Sequence, residues 1–167
     1  MNTNIITDHS FLNPGEFLEH WQGHRRVTRR VMEAFPEDKL FHYSIGRMRP
    51  FSAMVHEIIS MCQAGVNGVA TGNWKRVEEL DHTGTREADS KAGLLAQWDD
   101  LTVLINSLWP QIPSGKFAEN VMAFGQYEGI ANRIVLYFVD NEIHHRAQAT
   151  VYLRSLWIGP PAFWDRK

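Results

Sequence analysis

The sequence predicts an all-α protein, a four-helix bundle in a single domain spanning residues 1–167. Two observations carry that expectation. Four segments place apolar residues at helical spacing, each bounded by capping or breaking residues. No strand-like alternation of useful length appears, and no internal repeat is visible. The length allows it, because 167 residues can bury a core without disulfides or a structural metal.

The first helix starts at Asn13-Pro14-Gly15-Glu16, where Asn caps, Pro takes the first helical position and Glu reaches back. Phe17, Trp21, His24, Thr28, Val31 and Phe35 follow at helical spacing, giving one face with a polar middle, and Pro36 ends it. The second helix begins after Pro50 and runs to about Val69, with Phe51, Val55, Ile58, Cys62 and Val69 on its apolar side. From Thr71 to Ser90 the signal fades into Gly, Thr and charged residues, with a short helical turn expected near Trp74–Leu80. Connections this long are often functional, and this one is expected to be mobile and to cover a site opening. The third helix covers about Ser90–Trp109, on the stripe Leu94, Trp98, Leu101, Ile105 and Leu108, and Pro110 and Pro113 stop it.

The last helix, about Tyr127–Trp157, gives the clearest pattern. Ile134, Phe138, Asn141, His145, Gln148, Tyr152 and Leu156 share one sector of about 80° at about 100° per residue. Gly159-Pro160-Pro161 terminates it. Four amphipathic helices of this size imply a bundle.

Composition narrows the function classes. The formal charge is −2 and the basic residues form no long run, which argues against a dedicated nucleic-acid binder. No stretch approaches the roughly 20 apolar residues that span a bilayer. Met1–Asp8 lacks the charged-then-apolar plan of a secretory signal. The single cysteine, Cys62, sits in an apolar run and reads as a buried thiol. A cytoplasmic protein is expected. Six tryptophans and nine phenylalanines exceed what one narrow core obviously requires, so a homodimer is expected as well.

The inward sector of the last helix should be apolar, yet it holds Asn141, His145 and Gln148. Each costs about 1–3 kcal/mol if left without a partner. Asn141 and His145 lie one turn apart and project in nearly the same direction, so both can address one ion or ligand. His144 points about 100° away and reads as a surface or interface residue. A metal needs a donor from a second helix. The best placed is His56, on a shoulder of the second helix with Ser52, Ile59 and Gln63. Glu142 and Arg146 read as a solvated or intersubunit pair, and Tyr152 and Trp157 as core.

At these residues the chain resembles the DinB/YfiT-like superfamily of mostly bacterial four-helix bundles, often described as metal-dependent enzymes. The likeness covers most of the chain. It is carried by Arg47-Met-Arg-Pro-Phe-Ser-Ala-Met-Val-His56-Glu57, where the family has a histidine on its second helix. It is strongest at Asn141-Glu-Ile-His-His145-Arg-Ala-Gln148-Ala-Thr-Val-Tyr-Leu-Arg154 with Gly159-Pro-Pro, which is similar to the family's His-x-x-x-His-Arg-Gly-Gln pattern.

The resemblance implies a divalent metal (nickel, zinc or iron) held by His56, Asn141 and His145, with Glu57 and Gln148 behind them. Asn141 stands where the family has histidine, and Ala147 where it has glycine. An amide oxygen is a weaker and harder donor than imidazole, so affinity for nickel or zinc should fall. The same resemblance implies a metal-dependent S-transferase or isomerase acting on a small-molecule electrophile, with a low-molecular-weight thiol as cosubstrate. Two other readings stay open at this point. One is a non-catalytic bundle whose His, Asn and Gln form a buried hydrogen-bond network. The other is a stress-linked protein that sequesters a small molecule.

Overall fold

Helix α1 (Pro14–Ala34) begins as its neighbouring residues predict. The Asn13 side chain accepts the Glu16 N–H at 3.0 Å, and the Glu16 carboxylate accepts the Asn13 N–H at 2.9 Å. The computed structural model describes residues 12–81 and 90–167. A short helix, α2 (Glu37–His42), follows Pro36, and α3 spans Phe51–Thr71. Gly72 closes α3 in the left-handed conformation at φ 80°, which a side chain would oppose. The expected helical turn is present as a 3₁₀ turn at Val77–Glu79. The expectation of a mobile cover over Thr71–Ser90 falls partly on residues 82–89, outside the described residues.

Ser90 caps α4 (Lys91–Leu108) through the Gly93 N–H at 3.1 Å. The main departure from the sequence reading comes next. Residues 120–130 form an antiparallel hairpin, β1 (Asn120–Ala123) and β2 (Tyr127–Ile130), so α5 starts at Ala131 rather than near Tyr127. The strands have four residues each, too short for alternation to register. Phe124 and Gly125 make the turn at positive φ.

Helix α5 (Ala131–Ser155) ends with paired bonds from Trp157 N–H to Arg154 O and from Ile158 N–H to Leu153 O. Trp157 takes the left-handed position at φ 61° where glycine is usual, and 97% of it faces solvent. The expectation that Trp157 belongs to the core is therefore corrected. Tyr152 is in the core, at 0% exposure.

Helix α3 packs on α5 and α4, and α1 packs on the same two, so the four long helices close a ring in the order α1–α5–α3–α4. The result is the all-α bundle that periodicity predicts. Among the described residues no helix is long and apolar enough to cross a membrane. Trp21, Phe17 and Trp109 cluster at one end, and Phe138 joins Trp21 to Phe124. Cys62 is buried, and burial pushes its thiol pKa up, which keeps it an unreactive core group.

The core also contains ions. Glu142 has no exposure to solvent. Its carboxylate accepts the Thr28 hydroxyl at 2.6 Å and the Trp21 indole N–H at 3.3 Å, with Arg146 at 3.7 Å. Arg146 in turn donates to Thr28 Oγ1 and to the His24 carbonyl and ring. Burial, reinforced by the charges of Arg146 and Arg166, holds the His24 pKa down at about 3. Across the bundle, Arg25 lies 4.0 Å over the Trp98 ring and donates to Trp98 O and Thr102 Oγ1. The expectation that Glu142 and Arg146 form a solvated or intersubunit pair is overturned. α5 buries two adjacent stripes, one against α1 and one against α3, where periodicity registered only the latter.

Two substitutions test this packing. Glu142→Ala leaves the buried Arg146 guanidinium without its carboxylate and should cost about 3–5 kcal/mol in urea unfolding. On α3, a Cβ at Gly65 would lie only 2.1 Å from Phe138 Cζ. Gly65→Ala should therefore destabilise by about 1–3 kcal/mol, although alanine is the better helix former.

Candidate functional site

Position 57 on α3 faces α5, and this decides the geometry of the site. The Glu57 carboxylate is the meeting point of the polar stripe. Its Oε1 accepts Asn141 Nδ2–H at 3.2 Å and lies 3.1 Å from His145 Nε2. Its Oε2 accepts a charge-assisted bond from Arg49 at 2.5 Å. Gln148 closes the far side, with Oε1 at 3.0 Å from His145 Nδ1 and Nε2 at 3.3 Å from His144 on the exposed face. Asn141 and His145 are 8% and 6% exposed.

Four of the five residues singled out from the sequence, Glu57, Asn141, His145 and Gln148, thus come together. His56 turns about 100° away along α3. It is buried and lines a cavity between α3 and α4, so the side chain that His145 meets on α3 is Glu57. Arg49 escaped sequence reasoning. It lies before Pro50, outside any helix, where periodicity assigns no direction, and only its position ahead of the His56-Glu57 motif hinted at a role.

Two features bear on ligand chemistry. First, Asn141 Oδ1 is buried and has no hydrogen-bond partner among the described residues. A buried amide oxygen left in this way costs about 1–3 kcal/mol. Second, His145 faces acceptor oxygens at both ring nitrogens, whereas a neutral imidazole has one N–H to give. If Nδ1–H donates to Gln148, the Nε2 lone pair confronts the Glu57 carboxylate. Three arrangements relieve that conflict: a second ring proton, a turned Gln148 amide, or a cation shared by Nε2 and Glu57.

The fit to a metal follows from these donors. Among the described residues no three His, Cys, Asp or Glu side chains converge as a metal site. His145 Nε2 and Glu57 Oε1 are the donors that meet, Asn141 turns its Nδ2–H toward Glu57, and its Oδ1 is left without a partner among the described residues.

Burial alone raises the Glu57 pKa. Hydrogen bonds and charge from His145 and Arg49 outweigh it and hold the group at about 2.

The family model for the DinB family matches residues 1–164. The chain belongs to the DinB family. Its fold is similar to that of a DinB-like protein (YjoA) from Bacillus subtilis, with a TM-score of 0.71 at 18% identity, covering 91% of this chain and 99% of that one. A DinB-like protein from Bacillus cereus ATCC 10987 gives a TM-score of 0.69 at 15% identity, covering 89% and 95%. No match is found among curated proteins. Within this DinB-family chain, the paired bundle helices α3 and α5 carry the polar site.

Because the Glu57 pKa is depressed in the fold, its stabilising contribution is complete above the unfolded value of 4.5 and is lost as pH falls toward about 2. Glu57→Gln should flatten that acid limb in denaturation curves measured across this range. At neutral pH it should destabilise by roughly 1–2 kcal/mol, less than a fully buried pair because Arg49 is 38% exposed.

Proposed function

We propose that this DinB-family chain binds a divalent cation between α3 and α5 through His145 Nε2 and Glu57 Oε1, with the Asn141 amide turned over to present Oδ1. The observation that carries the reading is that His145 has an acceptor oxygen at each ring nitrogen, with Glu57 Oε1 3.1 Å from Nε2, beside a buried oxygen with no partner among the described residues. The resemblance named His56 as the donor from the second helix. The geometry favours Glu57, and the two assignments are separable by mutation.

When bound, a divalent ion supplies the positive charge that lowers the pKa of a thiol or water beside it. The chain's own residues prepare that chemistry. Gln148 holds His145 in the tautomer that presents Nε2, and Arg49 keeps Glu57 ionised and leaves Oε1 facing inward. Asn141 contributes a hard oxygen in place of a second imidazole, which shifts preference from nickel and zinc toward manganese or iron(II). In keeping with the family resemblance, we extend the reading to a small thiol cosubstrate and a small electrophile, transferred or isomerised.

Protein purified without a histidine tag should bind one equivalent of Mn²⁺, Zn²⁺ or Ni²⁺ by isothermal titration. His145→Ala and Glu57→Gln should weaken binding by roughly tenfold or more, and His56→Ala should leave it unchanged. Loss in His56→Ala with retention in Glu57→Gln would return the helix donor to His56. Negligible binding of all three ions by the wild type would sink the metal reading and leave the shared-proton network as the account of the geometry. For the thiol extension, cysteine and N-acetylcysteine should raise the melting temperature of metal-loaded protein only. No shift with either counts against it.

A further inference from the structure

The ring of helices leaves a groove on the face of α3 that His56 occupies, away from the Glu57–His145 pair. It is a cavity of about 480 Å³ between α3 and α4, within the range of small-molecule sites. Its floor is apolar, made by Ile59 from α3 and by Leu101 and Leu104 from α4. Its walls carry charge that is uneven in sign. Among the described residues, Asp81 and Asp100 line it together with the ammonium of Lys75.

The two carboxylates are placed differently. Asp81 is pinned to α3, because its N–H donates to Ser60 Oγ at 2.9 Å. On α4 the neighbouring Asp99 is taken by Arg29 at 2.8 Å, whereas Asp100 has no ion-pair partner among the described residues and faces the groove. Gln63 and Gln97 add neutral hydrogen-bonding groups on opposite walls. An apolar strip with an unclaimed carboxylate at its edge matches a body that is apolar along its length and cationic at one end.

We infer that this groove binds a small molecule carrying an ammonium group on a short aromatic or aliphatic body. The ammonium lies against Asp100, and the body lies on Ile59, Leu101 and Leu104. The site is independent of the cation proposed between α3 and α5.

Tyramine and tyrosol are suitable probes, since they share one ring and differ in an ammonium against a hydroxyl. In chemical-shift titrations of the full chain, tyramine should bind in the millimolar range or tighter, and tyrosol about tenfold more weakly. Asp100→Asn, an exposed change, should weaken tyramine about tenfold and leave tyrosol unaltered. Leu104→Trp, which fills the floor, should weaken both. His145→Ala should leave tyramine binding intact, and its loss there would place the amine at the other site and overturn the proposal. Equal binding of the two probes, full tyramine affinity in Asp100→Asn, or no tyramine shifts at millimolar concentration would each overturn it as well.

Discussion

The middle of α5 buries polar side chains on two sides at once, and much of the bundle is arranged around satisfying them. Asn141 and Glu142 are neighbours in sequence, as are His145 and Arg146, so consecutive residues enter different interfaces about 100° apart. Toward α1, Glu142 is enclosed without water, and its carboxylate is stable there only because Thr28, Trp21 and Arg146 supply donors. Those partners sit on three turns of two helices, so α1 cannot rotate or slide against α5 without stranding the charge. Apolar packing alone would tolerate such a shift far better.

Toward α3 the same helix presents Asn141 and His145, and here satisfaction is incomplete. Glu57 meets both, yet Asn141 Oδ1 is left over and His145 confronts two acceptors. The contrast between the interfaces is informative because they share one helix. The α1 side closes every bond of its carboxylate, as a structural network should. The α3 side leaves a buried amide oxygen without a partner among the described residues, which is what the proposed cation would use. The rigid Glu142 interface in turn holds the backbone of α5, and so fixes where Asn141 and His145 project.

This chain also departs from the histidine pattern of the family it resembles. An asparagine replaces one histidine, and the side chain on α3 that reaches His145 is a carboxylate, one residue beyond the histidine that the motif suggests. The surrounding fold is nevertheless similar to that of the B. subtilis protein over 91% of the chain. Fold and site chemistry are thus separable here.

Local signals in the sequence determined the helices themselves. The Asn13 cap, the breaks at Pro36 and Pro50, and the spacing of Leu94, Trp98, Leu101 and Ile105 are short-range, and short-range rules read them. Membership of Asn141, His145 and Gln148 in one inward stripe followed for the same reason. Only tertiary structure decided which partners those residues meet. A shoulder residue such as His56 or Glu57 borders two grooves of the ring, and one step of about 100° sends one toward α4 and the other toward α5. Periodicity recognises a face as buried when it is apolar, so the Glu142–Arg146 stripe went unread as core. Its burial rests on Thr28, Trp21 and His24, more than a hundred residues away in sequence, and no local pattern encodes that distance. The site at the centre of α5 was therefore visible as an interruption in a stripe, and became a carboxylate-centred site only when α3 was laid against it.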